Sequence, residues 1–176
     1  PMDASSVGSY EINSKPKTFD SEFIDDHQTA KNTLNSLFSA DADYEVKGAN
    51  GTATINMNGG EDARDVARAF NLITGSTGVK ASAITRLKIV NVTESDHFSF
   101  TLQGRDKNAS VVNATIANKD DLTTLKDSIN SVSSDTGIVA DLVNNKSSIL
   151  LVQNEGYDII IGDLTSASGN MTVDAV

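Results

Sequence analysis

The sequence predicts an α+β protein: two related β-α-β modules, each a helix packed on a small, mostly antiparallel sheet, preceded by an N-terminal helix. Three observations point there. Short runs alternate apolar and polar residues as half-buried strands do. Two longer runs repeat their apolar residues at helical steps of three and four. And "TGSTGVKASAI" at 74–84 returns as "SDTGIVADLV" at 134–143, each time following a helix-like run with Thr-Gly and a β-branched residue.

Residues 1–42 form the N-terminal segment. Its helix is expected over about 26–40, with Ala30, Leu34, Leu37 and Phe38 on one side and Lys31 and Asn35 on the other. Upstream, Pro16 and a mixed polar composition predict a loop with at most a short strand. The first module is expected over 43–105. "DYEVKG" and "TATINM" flank Ala49-Asn50-Gly51, whose Asn-Gly pair suits the positive φ angles of a hairpin turn. A helix follows, with Ala63, Val66, Ala67, Phe70 and Ile73 on one stripe and Glu61 and Asp62 in the first turn, where the helix dipole favours acids. Gly75 and Gly78 are expected to end it, and "VKASAI", "LKIVNV" and "HFSFTLQ" to follow as strands.

The second module is expected over 106–164, with a C-terminal tail at 165–176. "SVVNATI" reads as a strand, and Asn118 as an N-cap with Asp120 and Asp121 in the first turn. Leu122, Leu125, Ile129 and Val132 then share a helical stripe, and "IVADLV", "SSILLV" and "YDIIIG" close the module as strands. The two modules align: Ala53-Thr54-Ile55 with Ala114-Thr115-Ile116, Ala63 with Leu122, Val66 with Leu125, Phe70 with Ile129, Asn71 with Asn130, and Thr77-Gly78-Val79 with Thr136-Gly137-Ile138. Agreement of apolar phase, Asn and Thr-Gly together is what an internal duplication predicts. The burial available to four apolar anchors falls short of the entropy lost in fixing a helix of this length, so each helix must lie on its own strands.

Composition narrows the function. The 176 residues carry 14 Lys and Arg against 24 Asp and Glu, a formal charge of −10 that repels phosphate backbones and anionic lipid. Nucleic acid and membrane are therefore not expected as partners. Cysteine is absent, so the core closes without disulfides. No apolar run reaches membrane-spanning length, and the start resembles no signal peptide. Pro1-Met2 reads as a joint to foreign sequence, and the chain is expected to be a fragment of a longer protein.

The stretch "ATINMNGGEDARDVARAFNLITGSTGVKASA" resembles the short motif of the central, surface-facing region of bacterial flagellins and some hook-associated proteins: a strand, a helix ending in Ile-Asn or a similar pair, then Thr-Gly-Val-x-Ala. Residues 114–162 resemble a second copy, through Ile129-Asn130, Thr136-Gly137-Ile138 and the closing Gly156-Tyr157-Asp158-Ile159. The first copy departs from the pattern at Phe70, where isoleucine is usual, and carries "SDHFSF" in place of the closing Gly-x-Asp-Ile. The resemblance implies a secreted, extracellular, non-catalytic subunit of the flagellar filament, here its outer variable domain. Its partners would be other flagellin subunits, reached through terminal helices absent from this fragment. Two alternatives are the outer domain of a hook-associated junction or cap protein, and a carbohydrate-binding adhesin module with host or surface glycans as partners; few aromatics speak against the latter.

No enzyme chemistry is expected: no catalytic, cofactor-binding or metal-ligating residues, and no cofactor. His27 and His97, the two histidines, lack ligand spacing with a carboxylate. The acidic stretch Asp41 to Gly48 has Val46 where a calcium loop needs glycine. Asp25-Asp26, Glu61-Asp62 and Asp120-Asp121 each sit at an expected helix start, where capping accounts for them. Asn50, Asn91, Asn108, Asn113, Asn145 and Asn170 precede x-Ser or x-Thr, as accident produces in an Asn-, Ser- and Thr-rich chain. For glycosylation the resemblance points instead to hydroxyls such as Thr165, Ser166 and Ser168.

Overall fold

The computed structural model describes residues 17–19, 42–59 and 61–176. The helix expected over 26–40, His27 and the acids Asp25-Asp26 lie outside them. The described chain is α+β, with antiparallel strand pairing throughout.

β2 (Ala42–Gly48) and β3 (Gly51–Met57) form a hairpin whose register runs from Ala42↔Met57 to Gly48↔Gly51. The turn is therefore Ala49-Asn50, one residue earlier than the expected Asn50-Gly51 pair, and of that pair only Gly51 takes a positive φ (146°). Helix α1 (Ala63–Leu72) follows, broken at Ile73 from a single turn, α2 (Thr74–Thr77). Asp62 caps α1 by accepting from the Asp65 N–H at 2.8 Å, and Glu61 accepts from the Asn58 backbone N–H and side-chain amide. The chain then crosses to β4 (Thr85–Val90).

β5 (His97–Gln103) pairs with β6 (Ser110–Thr115), and helix α3 (Thr123–Ser131), broken at Val132 from the turn α4 (Ser133–Thr136), follows. Strands β7 (Ile138–Val143), β8 (Ser148–Gln153), β9 (Ile160–Thr165) and β10 (Met171–Ala175) complete the described chain. With β1 (Lys17–Phe19), strands β10, β4, β8 and β7 form a five-stranded sheet ordered β1-β10-β4-β8-β7, beside a three-stranded sheet ordered β6-β5-β9. The expected boundary at 105/106 thus falls between β5 and β6, two strands that pair, and the expected tail carries β10, which pairs with β4.

Most buried side chains belong to one core between these two sheets and α3. Phe98, Phe100 and Leu102 enter it from β5, Ile149 and Leu151 from β8, Leu122, Leu125 and Ile129 from the α3 region. A separate, smaller core joins the β2–β3 hairpin to α1: Val46, Ile55 and Met57 are buried, and Val66, Ala69, Phe70, Ile73 and Val79 pack half-buried against them.

Four local expectations need correction. "VKASAI" makes no strand; residues 79–84 run without a ladder partner, and regular pairing begins at Thr85. Gly75 ends nothing: it lies inside α2, and only Gly78 takes the left-handed conformation that stops the helix. Asn118 is not the N-cap of α3. It accepts from the Asp120 N–H in a preceding turn, while Asp121 accepts from the Thr123 N–H at 3.1 Å and hydroxyl at 2.5 Å. Ala63 faces solvent although its counterpart Leu122 is fully buried; the α1 residues that pack on the hairpin core begin at Val66.

Candidate functional site

The most elaborate side-chain arrangement among the described residues is the joint that returns each helix to an extended segment, and it occurs twice. It starts from an asparagine in the last turn. A primary amide carries a donor and an acceptor spaced like those of a peptide group, so it can stand where a neighbouring strand would. Asn71 Nδ2 donates to the Ala81 carbonyl at 2.9 Å and Asn71 Oδ1 accepts from the Ala81 N–H at 2.9 Å. Asn130 does the same to Ala140, at 2.9 and 2.8 Å.

Next comes a break of the helix. The Ile73 N–H donates to the Phe70 carbonyl and the Val132 N–H to the Ile129 carbonyl, both at 3.2 Å, which tightens the last turn. The carbonyls of Ile73 and Val132 then accept from buried hydroxyls, Thr77 Oγ1 and Thr136 Oγ1 respectively, each at 3.0 Å. Each hydroxyl also accepts from the N–H two residues on, Val79 at 3.1 Å and Ile138 at 3.2 Å. The residue between is Gly78 (φ 77°) or Gly137 (φ 69°), in the left-handed region where a Cβ is disfavoured.

The hairpin closes the joint from the other side. The Thr77 carbonyl accepts from the Asn50 N–H at 3.1 Å and the Thr136 carbonyl from the Arg105 N–H at 2.8 Å. A Cβ on Gly48 would stand 2.0 Å from the Thr77 oxygen and one on Gly104 2.2 Å from the Thr136 oxygen, so each hairpin strand must end in glycine to approach this closely. Asn71, Asn130, Thr77, Thr136, Gly78 and Gly137 stood out in the sequence as positions. Gly48 and Gly104 did not; their only signal was a glycine closing each of two alternating runs.

The arrangement holds backbone and leaves no reactive group free, since both threonine hydroxyls are spent as donor and acceptor. The other candidates are dispersed. His97 Nδ1 lies 3.0 Å from Thr115 Oγ1 on the neighbouring strand. Among the described residues no three His, Asp or Glu side chains gather as a metal site. The acidic stretch from Asp43 lies on β2, where Asp43 accepts from Asn56 and Glu45 pairs with Lys47 at 3.1 Å. An open polar depression of about 350 Å³ is lined by Asn91, Thr93, Lys119, Asp120 and Ser147.

Two carboxylates serve as loop anchors. Asp96 accepts from the N–H groups of His97, Ser168 and Gly169, and these backbone bonds, led by that of Ser168, lower its pKa from the ordinary 3.8. The Asp121 pKa is lowered first by the Thr123 hydroxyl, then by the Thr123 N–H, with Lys146 at 3.3 Å adding to it. The hydroxyls Thr165, Ser166 and Ser168 all take part in this fabric: they donate to the Ser99 carbonyl, the Gly169 carbonyl and Asp96 respectively. The six sequon asparagines scatter over turns, loops and the β6 face; Asn91 and Asn145 hold positive φ.

No family model matches the chain, and no curated protein does. Among solved structures it is similar to the flagellar cap protein FliD from Helicobacter pylori, at 14% identity and a TM-score of 0.33, over 75% of this chain and 52% of that one. The chain thus spans about half the length of that structure. No helix among the described residues is long and apolar enough to cross a membrane.

Proposed function

We propose that this chain is the outer, solvent-facing part of a bacterial flagellar filament subunit, secreted, extracellular and without catalytic activity, built from two copies of one strand-helix-strand module. The observation that carries the reading is the duplicated joint. The Asn, Thr and Gly of the flagellin-like motif are the residues that make its bonds, with lengths matching between the two copies to about 0.1 Å for the Asn and Thr side chains. A motif that plays one role at two places in one chain is a building unit. Its work is mechanical: side-chain amides and hydroxyls lock each helix to the segment that follows, and polar loops define the exterior.

Other subunits would be reached through helices beyond these residues, and no cofactor or nucleic acid enters the mechanism. A junction or cap protein with the same kind of outer domain is the competing assignment, and a glycan-binding adhesin module a more distant one. Immunogold labelling of whole cells with antibody raised against this chain tests all three. Label along the length of the filament is the expected result. Label confined to the tip or the hook-filament junction assigns the chain to a cap or junction protein, and label away from flagella overturns the proposal. A glycan array scored with the soluble chain is expected to stay blank.

A further inference from the structure

Among the described residues, the five-stranded sheet packs one face against the large core. Its inner positions, Ile138, Ala140, Ile149, Leu151, Ile89 and Val173, lie in the large core, and its outer positions belong to neither core. The register places those outer residues in rows. Val139 stands beside Val152 and Val152 beside Arg86; one step along, Asp141 stands beside Leu150, Leu150 beside Lys88 and Lys88 beside Asp174. Val139 is 45% exposed, Leu150 and Val152 are half-buried, and Arg86 and Asp141 are exposed. Arg86, Lys88, Asp141 and Asp174 make no ion pair among the described residues.

We infer that this outer face is a self-association surface, occupied by the same face of a second copy of the chain about a twofold axis running along β8. The order of side chains selects that arrangement. Turning a copy about β8 lays Leu150 and Val152 on their own equivalents and brings β7 of each copy over β4 of the other. Asp141 then meets Lys88 twice, and Val139 meets the aliphatic stem of Arg86 twice, the reciprocal pattern a twofold interface requires. Charge is compatible with it: the chain carries −10 overall, whereas this face holds two cations, Arg86 and Lys88, against two anions, Asp141 and Asp174, so two acidic copies can meet here without local repulsion.

Size sets the strength. Three strands about 4.8 Å apart and three outward residues along each cover roughly 200–300 Å² per copy, well below the ~800 Å² per partner of a stable complex. The contact is therefore weak between free chains and becomes effective where neighbours are held close. The inference goes beyond the flagellar reading and does not need it.

The absence of cysteine makes the test clean. In Val152→Cys the new thiol sits on the axis, facing its copy. At millimolar concentration under mild oxidation this variant is expected to form disulfide dimers at least ~10-fold faster than Ser131→Cys, an exposed position on α3. Lys88→Glu in the Val152→Cys background should abolish the excess, and adding Asp141→Lys should restore it by reversing both pairs. Val139→Cys, which the twofold holds away from its equivalent, should dimerise no faster than the control. Rates equal for Val152→Cys and Ser131→Cys, or no rescue by the charge reversal, would overturn the inference. So would failure of the Val152→Cys thiol to react with a small maleimide in dilute solution, because the face would then be covered from within the chain.

Discussion

Asn71 and Asn130 grip the backbone ten residues ahead in the same way, but what lies beneath them differs. Under α1 there is a two-stranded hairpin with three buried apolar residues, and Phe70 and Val66 stay half-buried. Under α3 lie a five-stranded and a three-stranded sheet, and Leu122, Leu125 and Ile129 are fully buried. Hydrogen bonds of the joint are therefore set by local residues, whatever the size of the sheet below. Stability is set by the burial that the sheet allows.

The largest effect should come from removing equivalent anchors. Ile129→Ala is expected to cost about 2–5 kcal/mol, through lost transfer energy and a cavity, and Phe70→Ala about 1–2 kcal/mol, since its ring keeps contact with water. Urea unfolding measures both, and equal losses would erase the distinction between the two regions. Gly48→Ala and Gly104→Ala should sharpen what the regions share. Each methyl meets a threonine carbonyl, and each is expected to cost a similar amount, about 1–3 kcal/mol; an unchanged unfolding midpoint for either would show that its hairpin does not depend on the close approach.

Asn130→Ala should cost about 1–3 kcal/mol because the half-buried edge of β7 loses both partners, and Asn71→Ala less than about 1 kcal/mol because water reaches Ala81. Amide exchange at Ala140 and Ala81 reports each bond directly. The smallest effect is confined to the second region. Asp121 has a folded pKa below its unfolded one, so its contribution is complete above about pH 3.9 and is lost as the pH falls through the lowered folded value. Asp121→Asn should therefore lower stability at about pH 6 and flatten the acid limb of the pH-stability curve. An acid limb identical to that of the unaltered chain would remove Asp121 as its cause.

The two longer helices, α1 and α3, most of the strands and the Thr-Gly turns were legible in the sequence because their determinants are local: apolar phase at Leu125 and Ile129, a left-handed residue at Gly78 and Gly137. The pairing was not. "VKASAI" alternates like a strand, yet the partners that hold Ala81 come from a side chain. "HFSFTLQ" looks like the end of the first region, but its mates are Val112, Ala114 and Ile161, which no nearby residue announces. Nor could the sequence reveal that Asp96 reaches across 72 residues to Ser168, or that Thr77 and Thr136 are the buried hinges of the joints. As for the candidate site, composition spoke against chemistry, while the role of Asn71 and Asn130 needed coordinates, because an amide at the end of a helix has many uses.

β4 draws its neighbours from far along the chain. Leu87 lies opposite Leu151 on one side and Ala175 on the other. During synthesis the small hairpin and α1 can assemble as soon as they emerge, whereas β4 must wait for roughly eighty further residues before its second edge is closed. In that interval a tacky ribbon is on offer to any other nascent copy. Cells crowded with half-made chains should therefore accumulate swapped pairs joined through this strand, and faster elongation, which shortens the interval, should reduce them.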